Sequence, residues 1–346
     1  MKKHAIIPIF VPHEGCPFDC SFCNQGTITA HDKPIDIAEV EETILKWLST
    51  LSTMNLDTIE IAFFGGSFTG IPLKRQCEFL EIAKKYKDKG LVQKLHLSTR
   101  PDYINEKILD NLKHYGVDVI ELGVQSFDNR VLESANRGYK KDIVYQSCNM
   151  IKAYGFELGI QLMIGLPDDS LEICKYSALE TVKIKPDIVR LYPLVVIKNT
   201  RLYDDYIKGL FMPIDLEESI KRTKEMYKII DDAGINIIRV GLKSSDFINN
   251  EGDIVPGTFH PAIRQLVEGD IAYDYFVERI DKLLSIEKNE MLDLEILSNN
   301  GSISNAIGNK KRNKLRLDEK YPLINIYFSV DNTLKNNEYI VRKIKI

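Results

Sequence analysis

The stretch Ala5-Ile6-Ile7-Pro8-Ile9-Phe10-Val11-Pro12-His13-Glu14-Gly15-Cys16-Pro17-Phe18-Asp19-Cys20-Ser21-Phe22-Cys23 sets the reading of the whole chain. Ala5 to Val11 is an apolar run of strand length. Pro12-His13-Glu14-Gly15 breaks it and marks the loop leaving that strand's end. The loop carries Cys16, Cys20 and Cys23, spaced Cys-x3-Cys-x2-Cys. Three thiols this close do not pair as disulfides without leaving one over. A shared soft-metal site accounts for all three, and iron–sulfur clusters are normally held by cysteine thiolates. A cubane cluster has four irons, so three ligands leave one iron open. An open metal position is where small-molecule chemistry occurs. The spacing also leaves open a zinc site completed by a later His or Cys, with His13 or His31 nearby.

The bulk composition bounds the rest. The chain has 346 residues, 44% hydrophobic and 28% charged, enough for one large domain or one plus a small one. Net charge is −4, which does not mark the whole molecule as a polyanion binder. The charge is uneven. Residues 301–346 hold ten Lys/Arg against four acids, a balance of +6 that leaves −10 for residues 1–300. Cys77, Cys148 and Cys174 stand alone in helical patterns and read as small buried hydrophobes. Neither a disulfide scaffold nor a signal peptide is expected, and no apolar run reaches the ~18–20 residues a membrane span needs. A cytoplasmic protein with no membrane partner is expected.

Outward from the cysteine loop, strand-like and helix-like segments alternate. Strands are expected at Ala5–Val11, Thr58–Phe64, Lys94–Ser98, Val117–Val124, Glu157–Ile164, Asp187–Leu191 and Ile235–Val240. Helices are expected near 35–52, 72–88, 104–114, 128–135, 141–154, 170–183 and 215–233. The strands are apolar on both faces, which implies a parallel sheet covered by helices. Without a G-x-G-x-x-G turn, this predicts an α/β fold: a partial (βα)6 TIM-like barrel over residues 1–250. Residues 251–346 are expected to form a small C-terminal α+β appendage, with a helix over 303–315 that carries the basic segment Lys310–Arg316. In barrels, function sits at the carboxyl ends of the strands. There the sequence places the cysteines, Gly65-Gly66, Ser98-Thr99-Arg100, Gln125-Ser126, Gly165 and Tyr192-Pro193. His13, His31, His96, His114 and His260 read as structural or surface residues.

This combination resembles the radical S-adenosylmethionine (SAM) superfamily over about residues 5–240. Ser98-Thr99-Arg100-Pro101-Asp102-Tyr103, Gly123-Val124-Gln125-Ser126, Asn136-Arg137-Gly138 and Gly165-Leu166-Pro167 resemble the branch that holds the elongator catalytic subunits and the oxygen-independent coproporphyrinogen oxidases. A short, bacterial, elongator-like form is the nearest likeness. The resemblance implies a 4Fe-4S cluster on Cys16, Cys20 and Cys23, with SAM on its open iron. It implies SAM contacts from Phe22, Gly65, Gly66, Ser98, Gln125, Arg137 and Gln161. Gly65-Gly66 would bring bare backbone to the methionine amino group, and Arg137 would pair with the carboxylate. Ser98 and Gln161 stand where the porphyrinogen enzymes carry acids, which favours the elongator-like reading.

The implied activity is reductive SAM cleavage to a 5′-deoxyadenosyl radical. RNA, tRNA in particular, is the candidate substrate, and an external donor such as flavodoxin or ferredoxin would supply the electron. No catalytic side chain is singled out. The sequence shows no acetyl-CoA phosphate loop and too few residues after the barrel for an acetyltransferase domain, so that step is not expected here. It also shows no second cysteine cluster. The alternatives are a coproporphyrinogen-oxidase-like enzyme, a non-catalytic haem or cluster carrier, and a zinc-bound RNA-binding module.

Overall fold

The computed structural model describes residues 4–11, 20–23, 35–242, 252–257, 259–286 and 293–344. Two compact units are present. One comprises Met1–Leu216 with Glu225–Phe259, and the other Glu217–Lys224 with His260–Ile346.

The first unit is built on seven strands: β1 (His4–Val11), β2 (Thr58–Gly65), β3 (Lys94–Thr99), β4 (Val119–Gln125), β5 (Glu157–Ile164), β6 (Ile188–Pro193) and β7 (Asn236–Val240). They lie in chain order in one parallel sheet. Parallel neighbours need crossovers, and helices supply them. These are α1 (Ile37–Leu51), α2 (Leu73–Asp88), α3 (Glu106–His114), α4 (Asn129–Ser134), α5 (Lys141–Ala153), α6 (Leu171–Ile184), α7 (Arg201–Ile207) and α8 (Leu216–Asp232). Six βα crossovers thus join seven strands into an α/β half-barrel, as the alternation predicts. The alternating residues Ile7, Ile9 and Val11 of β1 are buried, and every residue of β4 is buried. The two-sided burial of β4 is why it reads as a continuous run without polar alternation, whereas β1 buries one face at Ile7, Ile9 and Val11 and the other only in part.

Local chemistry sets the helix starts. The Asp36, Asn105, Asp128, Ser170 and Thr200 side chains accept hydrogen bonds from first-turn amides of α1, α3, α4, α6 and α7. Periodicity does not reveal α7, because seven residues span only two turns.

One face of the sheet is not apolar. His4 Nε2 lies 3.0 Å from Glu60 Oε2, and the other Glu60 oxygen meets His96 Nδ1 across β2 and β3. His96 Nε2 stands 3.8 Å from Glu121 on β4, and Arg190 of β6 pairs with Glu121 at 2.9 Å. Arg190 also stacks over the Phe64 ring, 4.7 Å from its centroid. His96, read from the sequence as a structural or surface residue, is buried and structural, one member of an ionic line on β1, β2, β3, β4 and β6 that is buried except at His4.

The second unit has a three-stranded sheet in the order β10–β8–β9, made of β8 (Asp293–Ser298), β9 (Asn325–Val330) and β10 (Tyr339–Lys343). Its helices are α9 (Ile263–Ile286), α10 (Ile303–Ile307) and α11 (Arg312–Lys320). Phe276, Ile280, Leu294, Ile296, Ala306, Leu317 and Tyr321 form its core. The single helix expected over 303–315 is broken. Gly308 leaves the helical region at φ 82°, and Lys310 and Lys311 follow at φ 51° and 64° before α11 begins. The basic segment is also partly spent within the unit. Arg312 pairs with Glu217 at 2.5 Å, and Arg316 pairs with Asp270 at 2.6 Å while lying over the Tyr273 ring. Lys310, Lys311 and Lys314 are exposed.

Candidate functional site at the strand ends

The turn Cys20–Cys23 is held from two sides. Ser21 donates its amide to Ala135 O at 3.1 Å, and Ser21 O accepts from Leu202 N of α7 at 2.7 Å. Cys23 N closes the turn on Cys20 O at 3.0 Å. Phe22 packs against an apolar cluster of Val131, Ala135, Leu166, Leu194 and Val196. Cys16, His13 and His31 lie outside the described residues.

Two guanidinium groups converge on Cys20. Arg137 Nη1 donates to its sulfur at 3.1 Å and Arg100 Nη1 at 3.5 Å. Both arginines are buried, at 5% and 3% exposure. Burial alone would weaken their charge. For Arg137, Tyr139 and Cys20 outweigh burial and raise its pKa. For Arg100, the Asp102 carboxylate does the same against both burial and the neighbouring Arg137. Arg100 clasps Asp102 with Nε and Nη2, each at 2.9 Å. Arg137 spends Nη2 on Gly123 O at 2.6 Å, and Tyr139 OH donates to the same carbonyl at 2.9 Å.

Gln125 closes β4 in the left-handed region, at φ 70°. A non-glycine residue there is strained by about 1–2 kcal/mol. Its Oε1 is buried without a hydrogen-bond partner. Its Nε2 lies over Gly123, where a Cβ would stand 2.9 Å from it. Gly123 faces Gln161 in the β4–β5 register, and Gln161 Nε2 donates to Glu121 Oε1. Ser98, half-buried on β3, lies in register with Glu121. At the end of β2, Gly65 takes φ 106°, which favours glycine. Gly66 N donates to Val11 O at 3.0 Å, tying the β2 exit to the end of β1.

The structure thus brings Cys20, Gln125 and Arg137 together around Gly123 and sets Gln161 opposite. Gly65, Gly66 and Ser98 occupy neighbouring strand ends. Sequence reasoning placed Arg100 at a strand end without giving it a contact, and did not single out Tyr139, Glu121 or Arg190. For Tyr139 a signal existed: it directly follows Asn136-Arg137-Gly138, in the loop between α4 and α5. Of the lone cysteines, Cys148 and Cys174 are buried, and burial pushes the Cys148 thiol up to about 12. Cys77 is only half-buried and donates to Asn111 Oδ1 at 3.4 Å.

Parallel strands in chain order, joined by helical crossovers, make an α/β scaffold whose strand ends carry the two arginine contacts to Cys20 and the unpartnered Gln125 Oε1. The family model described as Radical SAM superfamily matches residues 10–176, and that described as Radical_SAM C-terminal domain matches residues 186–272. Together they span well over half of the sequence, and the chain belongs to the radical SAM superfamily. It is 31% identical over 185 residues to a tRNA uridine(34) acetyltransferase of Methanocaldococcus infernus, covering 48% of this chain and 35% of that one. It is 25% identical over 220 residues to the heme chaperone HemW of Bacillus subtilis, covering 62% and 56%. The solved structure of the archaeal Methanocaldococcus infernus Elp3 with an N-terminal deletion has the same fold. It matches at TM-score 0.61 and 24% identity, over 81% of this chain and 64% of that one. The chain spans 35% and 47% of the length of the two Methanocaldococcus acetyltransferases it resembles. Among the described residues, no helix is long and apolar enough to cross a membrane.

Proposed function

We propose that this protein is a radical SAM iron–sulfur enzyme whose strand ends bind a 4Fe-4S cluster and SAM, and that it modifies a tRNA base. The observation that carries the reading is the convergence of Arg100 and Arg137 on Cys20, beside the buried, unpartnered Oε1 of Gln125. A sulfur between two cations and an orphaned acceptor fit a thiolate ligand next to a polar small molecule. Cys16, Cys20 and Cys23 would hold the cluster. When bound, the cluster supplies one electron to the SAM sulfonium, giving methionine and a 5′-deoxyadenosyl radical.

The chain's own residues position and shield. Gly65 and Gly66 offer bare backbone at the β2 exit, and Gln125 offers its acceptor from the end of β4. Arg137 sets positive charge beside the thiolate, where a carboxylate of the ligand would be met. Ser98 and Gln161 line the inner face, and Phe22 seals the cysteine turn against the apolar cluster. The tRNA assignment draws on the tRNA-modifying relatives, and the reductant would be an external flavodoxin or ferredoxin.

The test is anaerobic reconstitution with iron and sulfide, chemical reduction, and assay of 5′-deoxyadenosine with and without bulk tRNA, followed by nucleoside mass spectrometry. SAM cleavage stimulated by tRNA, with a new modified nucleoside, is expected. A fully reconstituted, reduced protein that cleaves no SAM would overturn the reading. The likeness to a heme chaperone over 62% of this chain supports a second reading, a non-catalytic haem carrier. Stoichiometric haem binding without SAM turnover would select it.

A further inference from the structure

Glu121 is fully buried at the centre of the ionic line on the inner face. The sheet makes room for it. At Gly159, its register partner on β5, a Cβ would stand 2.8 Å from Glu121 Cγ, so only glycine leaves the carboxylate where it is. Arg190 Nε sits 2.9 Å from one carboxylate oxygen, and His96 Nε2 3.8 Å from the same one. The other oxygen accepts from Gln161 Nε2. These contacts decide which way round the Gln161 amide lies. A carboxylate paired with arginine only accepts, so the amide nitrogen must face it. The carbonyl Oε1 is then left at the free end of the amide, and among the described residues it receives no hydrogen bond.

We propose that Glu121 is a positioning residue that fixes Gln161 as a hydrogen-bond acceptor toward the ligand at the strand ends. This rests on the SAM-binding reading above and deepens it. On that reading the ligand group that meets Gln161 is a hydrogen-bond donor, because the free amide oxygen only accepts. The pair is also matched in charge. A carboxylate at position 161 would confront the Glu121 carboxylate directly, whereas an amide meets it with a donor.

A swap experiment tests this. SAM affinity is measured by equilibrium dialysis on the full, anaerobically reconstituted chain, and the melting temperature of each variant is recorded alongside. Gln161→Glu should weaken SAM binding at least ~10-fold, because two carboxylates then face each other. The double variant Glu121→Gln/Gln161→Glu should bind within about 3-fold of wild type. Its amide at 121 donates to the acceptor now at 161, and Arg190, in register with 161, keeps a carboxylate beside it.

Rescue by the double variant supports the inference. A double variant no better than Gln161→Glu overturns it, as does a Gln161→Glu protein that binds like wild type. Affinity losses that merely follow the melting temperatures, with no rescue, would assign Glu121 a purely structural role. Wild-type protein that binds no SAM removes the functional reading and this inference with it. Wild-type binding with an unrescued swap removes the inference alone.

Discussion

The two arginines at Cys20 differ in what else they hold, and so in what their loss would do. Arg100 is anchored by Asp102, whereas Arg137 satisfies the buried Gly123 carbonyl. Arg137→Ala leaves Tyr139 as the other donor to that carbonyl and empties a buried volume. The apo protein is expected to lose about 1–3 kcal/mol by urea unfolding. Cys20→Ala should leave the fold intact and drop iron after reconstitution to near zero, read by metal analysis. Gln125 separates stability from function. Gln125→Gly relieves the left-handed strain, so the apo protein should hold or gain up to about 1 kcal/mol while SAM affinity falls. The cysteine spacing, Gly65-Gly66 and Gln125 drew notice in the sequence because they follow apolar strand runs, and Arg137 because it stands in Asn136-Arg137-Gly138, in the loop between α4 and α5. Glu121, Arg190 and Glu60 were not. Each is a single charged residue inside an apolar strand, and its partners come from other strands at distances along the chain that no local pattern encodes.

Among the elements, β2 and β3 are joined by a charged contact as well as by their ladder. Burial works against the Glu60 charge, but the hydrogen bonds and charges of His96 and His4 hold its carboxyl below the usual 4.5. A carboxyl lowered in the folded state contributes stability that is complete above its unfolded pKa. That contribution is lost as pH falls through the folded value. Apo protein should therefore weaken below about pH 4.5, and Glu60→Gln should flatten that part of the curve, followed by thermal melting from pH 6 to 3.5. Helix α7 belongs to this scale too. Thr200 caps it, and its Leu202 amide holds the cysteine turn through Ser21 O. Thr200→Ala should cost about 0.5–2 kcal/mol locally. Cys23 of the apo protein should then be alkylated faster, as counted by mass spectrometry. The long alternating elements were readable from their period. This one was not, because its role is to pin a loop and it presents no repeated apolar face.

At the level of the whole molecule, two units carry separate cores, and the proposed cofactor site belongs to one of them. A ligand stabilises only what it binds. Calorimetry of the full chain should therefore show two transitions, of which reconstitution with iron, sulfide and SAM raises one. Phe276→Ala, in the core of the second unit, should lower the other by about 3–5 kcal/mol and leave SAM affinity unchanged. The charge asymmetry along the sequence was legible as a number. Its use was not, since Arg312 and Arg316 answer acids at 217 and 270 that lie far back in the chain.

That the strands lie in chain order has a consequence for biosynthesis. The sheet grows from one edge as the polypeptide leaves the ribosome, and the cysteine turn emerges with its first strand. Arg100 follows 80 residues after Cys20, and Arg137 follows 117 residues after it. At ~5–20 residues per second, Cys20 waits on the order of ten seconds for the second of its cationic neighbours. Through that interval the nascent Cys20 thiol lacks its flanking charges. Acquisition of metal before translation reaches position 137 would therefore depend on whatever shields that thiol outside the fold.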